Sequence, residues 1–326
     1  MKKTAQLRTI MAEQSTQTPP KLPSPLGNSR IHDPKLYKPS PALWDAVQVA
    51  LLLEQPLLVT GDPGTGKTEL ARHIAHFYDL GKLEVFNAKT TSAANDLFYK
   101  YDALGHFQHS HSKKADLDLA DVERLFVRYQ ALGKAIQSDQ RMVVLIDEID
   151  KAPRDLPNDI LAAIDRMEFT VPELDNKPFH AIQRPIVVLT SNSEKNLPDA
   201  FLRRVAYFHI QPPSAIELLE ILQSKVGFKP ATETDPVEIQ GFSKEELVPL
   251  IDHFKAICES KSLQKNPATA ELIHWVSLLH YFDFQPTVLE KERLGSDERA
   301  ILLKSYPVLA KTKDDLKTLA EQLKRL

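Results

Sequence analysis

The 326-residue sequence has little cysteine, little glycine and no long apolar run. Because Cys258 is the single cysteine, an internal disulfide is excluded, and the composition is compatible with a reducing compartment. No stretch approaches the roughly 18 apolar residues that a membrane-spanning helix needs. The basic start Met1-Lys2-Lys3 is followed by polar residues, not by the apolar region of a signal peptide. These absences predict a cytoplasmic protein without a membrane segment.

The sequence also lacks a strong charge of either sign. Its 41 basic and 44 acidic residues leave a formal net charge of -3, so there is no whole-chain attraction to nucleic acid or to an anionic membrane. Hydrophobic residues make up 42% and charged residues 26%, as in an ordinary soluble globular protein. A chain of this length is typical of about two domains.

Three of the ten glycines fall in one octapeptide, Gly61-Asp62-Pro63-Gly64-Thr65-Gly66-Lys67-Thr68. It fits the phosphate-binding pattern G-x-x-x-x-G-K-[ST], in which backbone N–H groups surround the phosphates of a nucleotide. Lys67 is expected to reach the β/γ oxygens and Thr68 to supply a hydroxyl to Mg²⁺. A glycine-rich turn between a strand and a helix is the alternative. The predicted nucleotide-binding residues are Gly61, Asp62, Pro63, Gly64, Thr65, Gly66, Lys67, Thr68 and Glu69.

Short apolar runs alternate with helical stripes on either side of this loop. The runs predicted as strands are residues 56–60, 83–86, 142–146, 186–190 and 205–210. Strands that alternate with helices favour right-handed crossovers and a parallel sheet covered on both faces, the α/β class. From Gln211 onward only helical spacing remains. We therefore predict a Pro/Ser/Thr-rich flexible arm at 1–36, an α/β nucleotide-binding core at 37–211 and an all-helical lid subdomain at 212–326.

Two segments look like additions to the core. Residues 92–112 alternate aromatic with polar side chains, which favours an insertion with a hairpin. An amphipathic helix is predicted next, with one apolar face from Val122 to Leu132. The apolar triplets 169–171 and 179–181 flank a turn-like segment, which indicates a second hairpin.

Five further positions carry chemistry. Asp147 and Glu148 end the third predicted strand, where a carboxylate beside the phosphate loop can hold Mg²⁺ and a second one can polarise the attacking water. Asn192 follows the fourth strand and can donate to a γ-phosphate. Arg203 and Arg204 precede the last strand and suit a neighbouring subunit's phosphate, as an arginine finger does. Each position also has a simpler interpretation. The two acids can serve solubility alone, the asparagine can belong to a turn, and the two arginines can be solvated surface residues.

The order of these motifs resembles Walker A, Walker B, sensor 1 and the arginine-finger segment of an AAA+ ATPase, and the MoxR family most closely. The segment 197–205 is similar to the family's Leu-Pro-Glu-Ala-x-x-Asp-Arg-Phe and aligns Arg204 with its arginine. Arg203 stands where the family has aspartate, which leaves open which arginine is the finger. The two additions look like the helix-2 and pre-sensor-1 insertions of that family. The resemblance implies a P-loop NTPase fold with a helical lid.

Other positions depart from the family or stay ambiguous. The lid has the sequence Asn266-Pro267-Ala268 where MoxR-type lids carry a sensor 2 arginine. Lys265 could replace that arginine, but it lies one position before this motif. Asn87 resembles the polar residue that restrains the Walker B glutamate in many AAA+ proteins. The histidines His106, His109 and His111 are closely spaced, but a polar loop explains them better than a metal site.

The resemblance implies an ATPase that works with Mg²⁺ in a homo-oligomeric ring, a hexamer, and remodels or activates a partner protein, frequently one with a von Willebrand factor A domain. ATP is favoured over GTP because no Asn-Lys-x-Asp segment follows the core strands, although McrB-like relatives read guanine differently. The alternative is a nucleotide-dependent binding switch in a defence or signalling assembly with slow hydrolysis. A monomeric kinase would leave Arg203, Arg204 and the helical third without a role.

Overall fold

The computed structural model describes residues 30–112, 117–193, 197–227, 241–260, 262–291 and 293–324. The chain divides into two compact units. One consists of Pro39–Gln211, and the other of Pro212–Leu326 together with the residues up to Lys38. The part of the predicted flexible arm at 1–29 lies outside the described residues.

The Pro39–Gln211 unit is built on a five-stranded sheet whose paired strands are all parallel. In chain order the strands of this unit are β1 Leu57–Gly61, β2 Glu84–Asn87, β3 Tyr99–Tyr101, β4 Val127–Tyr129, β5 Val143–Asp147, β6 Glu168–Val171, β7 Lys177–His180, β8 Ile186–Ser191 and β9 Ala206–Ile210. The sheet order is β2-β5-β8-β1-β9, with β3–β4 and β6–β7 as separate antiparallel pairs. The predicted α/β P-loop NTPase fold with C-terminal helices is confirmed.

Helices surround this sheet, and the central strands are buried on both faces. The helices of this unit are α1 Pro41–Leu52, α2 Lys67–Phe77, α3 Ala103–Ser112, α4 Leu119–Phe126, α5 Ala131–Gln137, α6 Leu156–Arg166 and α7 Asp199–Leu202. Ser40 caps α1 by accepting a hydrogen bond from Leu43 N. Val143 through Ile146 of β5 are fully buried, as an unbroken apolar run in a parallel sheet requires.

The hairpin predicted near 169–181 is confirmed as β6–β7. The hairpin predicted within 92–112 is wrong, because β3 pairs with β4, and α3 and α4 lie between them in the chain. The helix predicted from Val122 to Leu132 is also wrong in length, since it ends at Phe126. The apolar positions from Val127 onward serve a strand and the next helix, and their spacing alone fits either structure.

The helical unit contains α8 Ala215–Lys225, α9 Lys244–Glu259, α10 Thr269–Tyr281, α11 Ser296–Ser305 and α12 Lys313–Leu323. Its core centres on the fully buried Trp275, whose Nε1 donates to Ser305 Oγ at 2.8 Å. Cys258 is half-buried, and burial raises the pKa of its thiol to about 11. Among the described residues, no helix combines the length and the apolar character that crossing a bilayer requires.

Residues 30–36 differ from the predicted flexible arm, because they pack on the helical unit. Arg30 donates from Nη2 to Ser224 O at 2.6 Å, and Lys225 donates to Ile31 O. Ile31 packs against the apolar core of this unit. Two basic side chains thus sit at the carbonyl end of α8, where cations are favoured.

Candidate functional site

The phosphate-loop sequence forms the connection between β1 and α2. Gly64 and Gly66 have φ values of 79° and 89°, in the left-handed region that glycine adopts without strain. Gly61 has φ 146°, and a Cβ there would lie 2.8 Å from the carbonyl oxygen of Ile210. The three glycines therefore give the loop a path that side chains would block, and α2 begins directly at Lys67.

Lys67 is the most enclosed charged group of the loop, with 8% of its surface exposed. Its ammonium donates to Gly61 O at 2.7 Å, to Asp62 O at 2.9 Å and to Asn192 Oδ1 at 3.0 Å. Burial lowers the pKa of Lys67, and the surrounding carboxylates, Asp147 foremost, oppose that shift. The predicted Walker A lysine and the predicted sensor 1 asparagine are thus in direct contact.

Asp147 lies beside the first turn of α2. The Thr68 hydroxyl donates to Asp147 Oδ1 at 3.2 Å, so the two predicted Mg²⁺ ligands are neighbours. Thr190, at the end of β8, donates to the same carboxylate at 2.5 Å and accepts from Glu148 N at 2.9 Å. Sequence reasoning gave Thr190 no role, although a polar residue at the end of an apolar buried strand was the available signal.

Glu148 follows the end of β5 in a left-handed conformation, with φ 56°. A non-glycine residue in this region carries strain of about 1–3 kcal/mol, which is found most often at functional sites. Its carboxylate accepts from Lys151 Nζ at 2.5 Å, and this hydrogen bond raises the pKa of Lys151. The restraint of Glu148 by Asn87 stays a prediction. Asn87 ends β2 and is paired with Asp147 in the sheet, whereas the ion-pair partner of Glu148 is Lys151.

Asn192 is exposed just beyond β8, and its backbone N–H donates to Asp150 Oδ1 at 3.4 Å. Because the carboxyl ends of β1, β5 and β8 are adjacent in a parallel sheet, they bring Lys67, Asp147 and Asn192 to one edge.

Arg203 and Arg204 do not join this edge. They are exposed between α7 and the start of β9, and Arg204 Nε lies 4.0 Å from Asp165 Oδ2. Both line a surface cavity of about 340 Å³ together with Pro56, which precedes β1, and Arg184. Arg184 fixes this region by donating to Glu54 O, Ile164 O and Asp165 O at 3.0–3.2 Å. Since β1 and β9 are parallel, these arginines lie at the amino edge of the sheet, roughly 15 Å of strand from the phosphate loop.

Residues 56–205 match the model of the AAA domain, dynein-related subfamily. The matched segment, somewhat less than half of the chain, is thus similar to this domain. This match supports nucleotide-dependent ATPase activity at that general level. The matched range holds the predicted site residues from the loop at 61–69 to Arg204, but not Lys265.

The chain is also similar to solved structures of the branch-migration protein RuvB from Thermotoga maritima. One of these, a point mutant of RuvB, is 18% identical, with a TM-score of 0.44, over 84% of this chain and 69% of that one. The structure described as the Holliday junction branch migration motor is 17% identical, with a TM-score of 0.42, over 88% of this chain and 71% of that one. At these values the function of those proteins does not transfer.

The residues around the phosphate loop fit ATP and Mg²⁺. The left-handed glycines let the loop curve tightly, and α2 presents its N-terminal end there, which favours a phosphate. The Thr68 hydroxyl and the Asp147 carboxylate supply oxygen ligands, which Mg²⁺ prefers. Among the described residues, no group of three or more His, Cys, Asp or Glu side chains is arranged to hold a metal. The predicted histidine loop is instead part of α3, where the His106 ring stacks 4.7 Å from Phe126.

The position of the absent sensor 2 arginine lies at the start of α10. There Ala268 N donates to Glu271 Oε2 at 2.9 Å, and Glu271 Oε1 accepts from Lys311 Nζ at 2.6 Å. The helix start is thus held by an acidic residue and its lysine partner. Lys265, the sequence-based substitute, is exposed nearby in the chain.

Proposed function

We propose that this protein is a MoxR-like AAA+ ATPase of the cytoplasm, which hydrolyses ATP with Mg²⁺ in a homo-oligomeric ring, a hexamer, and so remodels or activates a partner protein. The observation that carries the proposal is the division of the chemistry between two edges of one sheet. Lys67, Asp147 and Asn192 meet at the carboxyl edge, whereas Arg203 and Arg204 lie at the amino edge.

At the carboxyl edge each side chain has one task. Lys67 and the loop amides bind the phosphates, and Thr68 and Asp147 hold Mg²⁺, which neutralises phosphate charge when bound. Glu148 orients a water and takes up its proton at the carboxylate, once its oxygen is released from Lys151. Thr190 keeps Asp147 in place and hydrogen-bonds the Glu148 backbone, so the two acids are oriented together.

The arginines complete a different site. Because they lie across the sheet from their own phosphate loop, they suit the nucleotide of a neighbouring subunit, where guanidinium groups stabilise the charge of the transferred phosphoryl. A ring supplies such a neighbour to every subunit, and this is the physical basis for proposing one.

The partner side of the proposal rests on the MoxR resemblance. The segment 92–112, which contains β3, and the β6–β7 ribbon resemble the insertions of that family, and Phe98 just before β3 stacks on Phe169 of β6 at 5.1 Å. The proposed client is a protein, which in such systems often carries a von Willebrand factor A domain. Nucleic acid is not proposed as a partner, since no charge excess favours it.

Steady-state hydrolysis by the wild type and by Glu148→Gln tests the ATPase. We expect turnover to fall by roughly 100-fold or more with ATP binding retained, because a general base contributes about 10²–10⁴. Lys67→Ala is the control that loses binding. Equal turnover by wild type and Glu148→Gln would contradict the motor function.

In pull-downs, Glu148→Gln with ATP should retain the client and Lys67→Ala should not.

One observation favours a second function, a nucleotide-dependent switch with slow hydrolysis. The chain has Ala268, directly before α10, where the family has an arginine for the γ-phosphate, and Glu271 follows in the first turn of that helix. Under this function ATP sets the oligomeric state, so light scattering would show nucleotide-dependent assembly, with little turnover even in the wild type.

A further inference from the structure

We infer that Asn192 is a latch on Lys67 in the nucleotide-free protein, holding the phosphate-binding lysine inside its own loop so that nucleotide must displace this contact to bind. The inference rests on the proposed nucleotide site. It assigns Asn192 a ground-state role that is separate from any contact with a γ-phosphate.

The hydrogen bonds of Lys67 leave no donor for a ligand. A lysine ammonium has three N–H donors, and here three acceptors take them: Gly61 O, Asp62 O and Asn192 Oδ1. A phosphate oxygen can therefore bind Lys67 only if one of these acceptors leaves. In its present position Lys67 is almost fully covered, with 8% of its surface exposed.

Asn192 differs from the other two acceptors. The carbonyls of Gly61 and Asp62 are backbone groups at the end of β1 and the start of the loop, whereas Asn192 contributes a side-chain oxygen from a position 125 residues away, just beyond β8. Its own backbone is positioned through the hydrogen bond from Asn192 N to Asp150. The Asn192 contact is thus the one that rotation of a single side chain can release without moving the backbone of the loop.

The orientation of the Asn192 amide is fixed by this partner. Lys67 can only donate, so the atom facing it must be the carbonyl oxygen Oδ1 and not the NH₂ group. Only molecules whose lysine is released can bind ADP or ATP fully, so the apparent affinity is the intrinsic affinity multiplied by the fraction of released molecules. Removal of the amide raises that fraction.

The sharpest test uses ADP, which has no γ-phosphate. For Asn192→Ala we expect ADP to bind about five- to tenfold more tightly by calorimetry, a cautious size for one charge-assisted hydrogen bond to an exposed residue. If Asn192 acted only on the γ-phosphate, its removal would leave ADP affinity unchanged, and that result would overturn the latch. Asn158→Ala, an exposed asparagine on α6, is the matched control and should leave the affinity at the wild-type value.

A second measurement needs no nucleotide. In the free protein, acetylation of Lys67 read by mass spectrometry should be several-fold faster in Asn192→Ala than in wild type or Asn158→Ala. An unchanged rate would contradict the latch even if the ATPase were intact. Conversely, a wild type that binds neither ADP nor ATP would overturn the proposed function itself, while the acetylation rates would still show whether Asn192 restrains Lys67.

Discussion

Gly61 shows how far one residue constrains the loop. Its φ of 146° is strained for any side chain, and an added Cβ would also press on Ile210 O at 2.8 Å, which belongs to backbone and cannot move aside. We expect Gly61→Ala to lower the free energy of unfolding by about 1–3 kcal/mol and to weaken ADP binding.

Gly81→Ala separates the two causes of that loss. Gly81 also has a positive φ, 70°, but nothing lies within 4 Å of its Cβ position. This control should therefore lose only the conformational part, about 1 kcal/mol, and keep ADP affinity. Chemical denaturation of both variants measures the difference, and equal losses would show that the contact with Ile210 is not the limiting factor.

His253 gives a prediction in pH at the same scale. Burial lowers its pKa to about 4, and its Nε2 lies 3.0 Å from the hydroxyl of Tyr306. The unfolded chain binds a proton near pH 6.5, whereas the folded chain does so only near pH 4. Between these values the unfolded state binds more protons, so the contribution of His253 to stability is full above pH 6.5 and is lost as pH falls, by roughly 1.4 kcal/mol per pH unit.

Denaturant titrations from pH 7 to pH 4 on the wild type and His253→Gln check this sign. Carboxylates titrate in the same range, so the quantity to compare is the difference in slope between the two proteins. The variant should lose less stability on acidification. A slope as steep as that of the wild type would show that His253 is not the group responsible.

At the scale of elements, the β3–β4 ribbon depends on a close approach of α5. A Cβ on Gly133 of α5 would lie 1.9 Å from the carbonyl oxygen of Phe98, which accepts the hydrogen bond of Gln130 N. Gly133→Ala must therefore push the ribbon away and disturb the stack of Phe98 on Phe169. We expect a loss of about 1–3 kcal/mol in the free energy of unfolding.

Gly105→Ala is the control for this element. There the nearest atoms belong to the side-chain carboxylate of Asp102, which can rotate away but then loses the hydrogen bond that it accepts from Gly105 N at 2.9 Å. The loss of this cap and the better helix propensity of alanine are each worth about 1 kcal/mol and oppose each other, so this variant should be close to neutral. If both alanine variants melt at the wild-type temperature, α5 does not pack on the ribbon as closely as the 1.9 Å approach to Phe98 O requires.

The elements also show what a sequence can and cannot predict. Five strands and the β6–β7 hairpin were predictable, because buried parallel strands are unbroken apolar runs and a hairpin has its turn beside it. The β3–β4 pair was not, because its partners lie 26 or more residues apart and Val127–Tyr129 fits the end of an amphipathic helix equally well. Local spacing does not specify a partner that distant.

The candidate site divides in the same way. The motifs predicted that Lys67, Asp147 and Asn192 lie at one edge, since the ends of parallel strands meet there. Thr190, Lys151 and Arg184 were missed because their roles are contacts with other side chains and with carbonyls, which no spacing encodes.

At the scale of the whole molecule, the two halves of the proposed site lie at opposite edges of the sheet. The proposed ring can therefore be tested by mixing subunits that each lack one half. Lys67→Ala cannot bind nucleotide but keeps both arginines, whereas the double variant Arg203→Ala/Arg204→Ala keeps its phosphate loop. Each should be inactive alone. In a mixed ring, a site is complete where the loop of an arginine variant faces the arginines of a Lys67→Ala subunit.

In an equal random mixture, one interface in four has that arrangement, so the mixture should recover about a quarter of wild-type turnover if the interfaces act independently. Steady-state hydrolysis after co-refolding or prolonged subunit exchange gives the value. Recovery near zero would mean that the arginines act within their own chain or that the sites fire only in concert. Mixing either variant with wild type distinguishes these two causes. If the arginines act within their own chain, turnover falls in proportion to the fraction of wild-type subunits. If the sites fire only in concert, turnover falls more steeply than that fraction. The amino-edge position of Arg203 and Arg204 favours recovery, because a group that far from its own loop has a phosphate to reach only in another subunit.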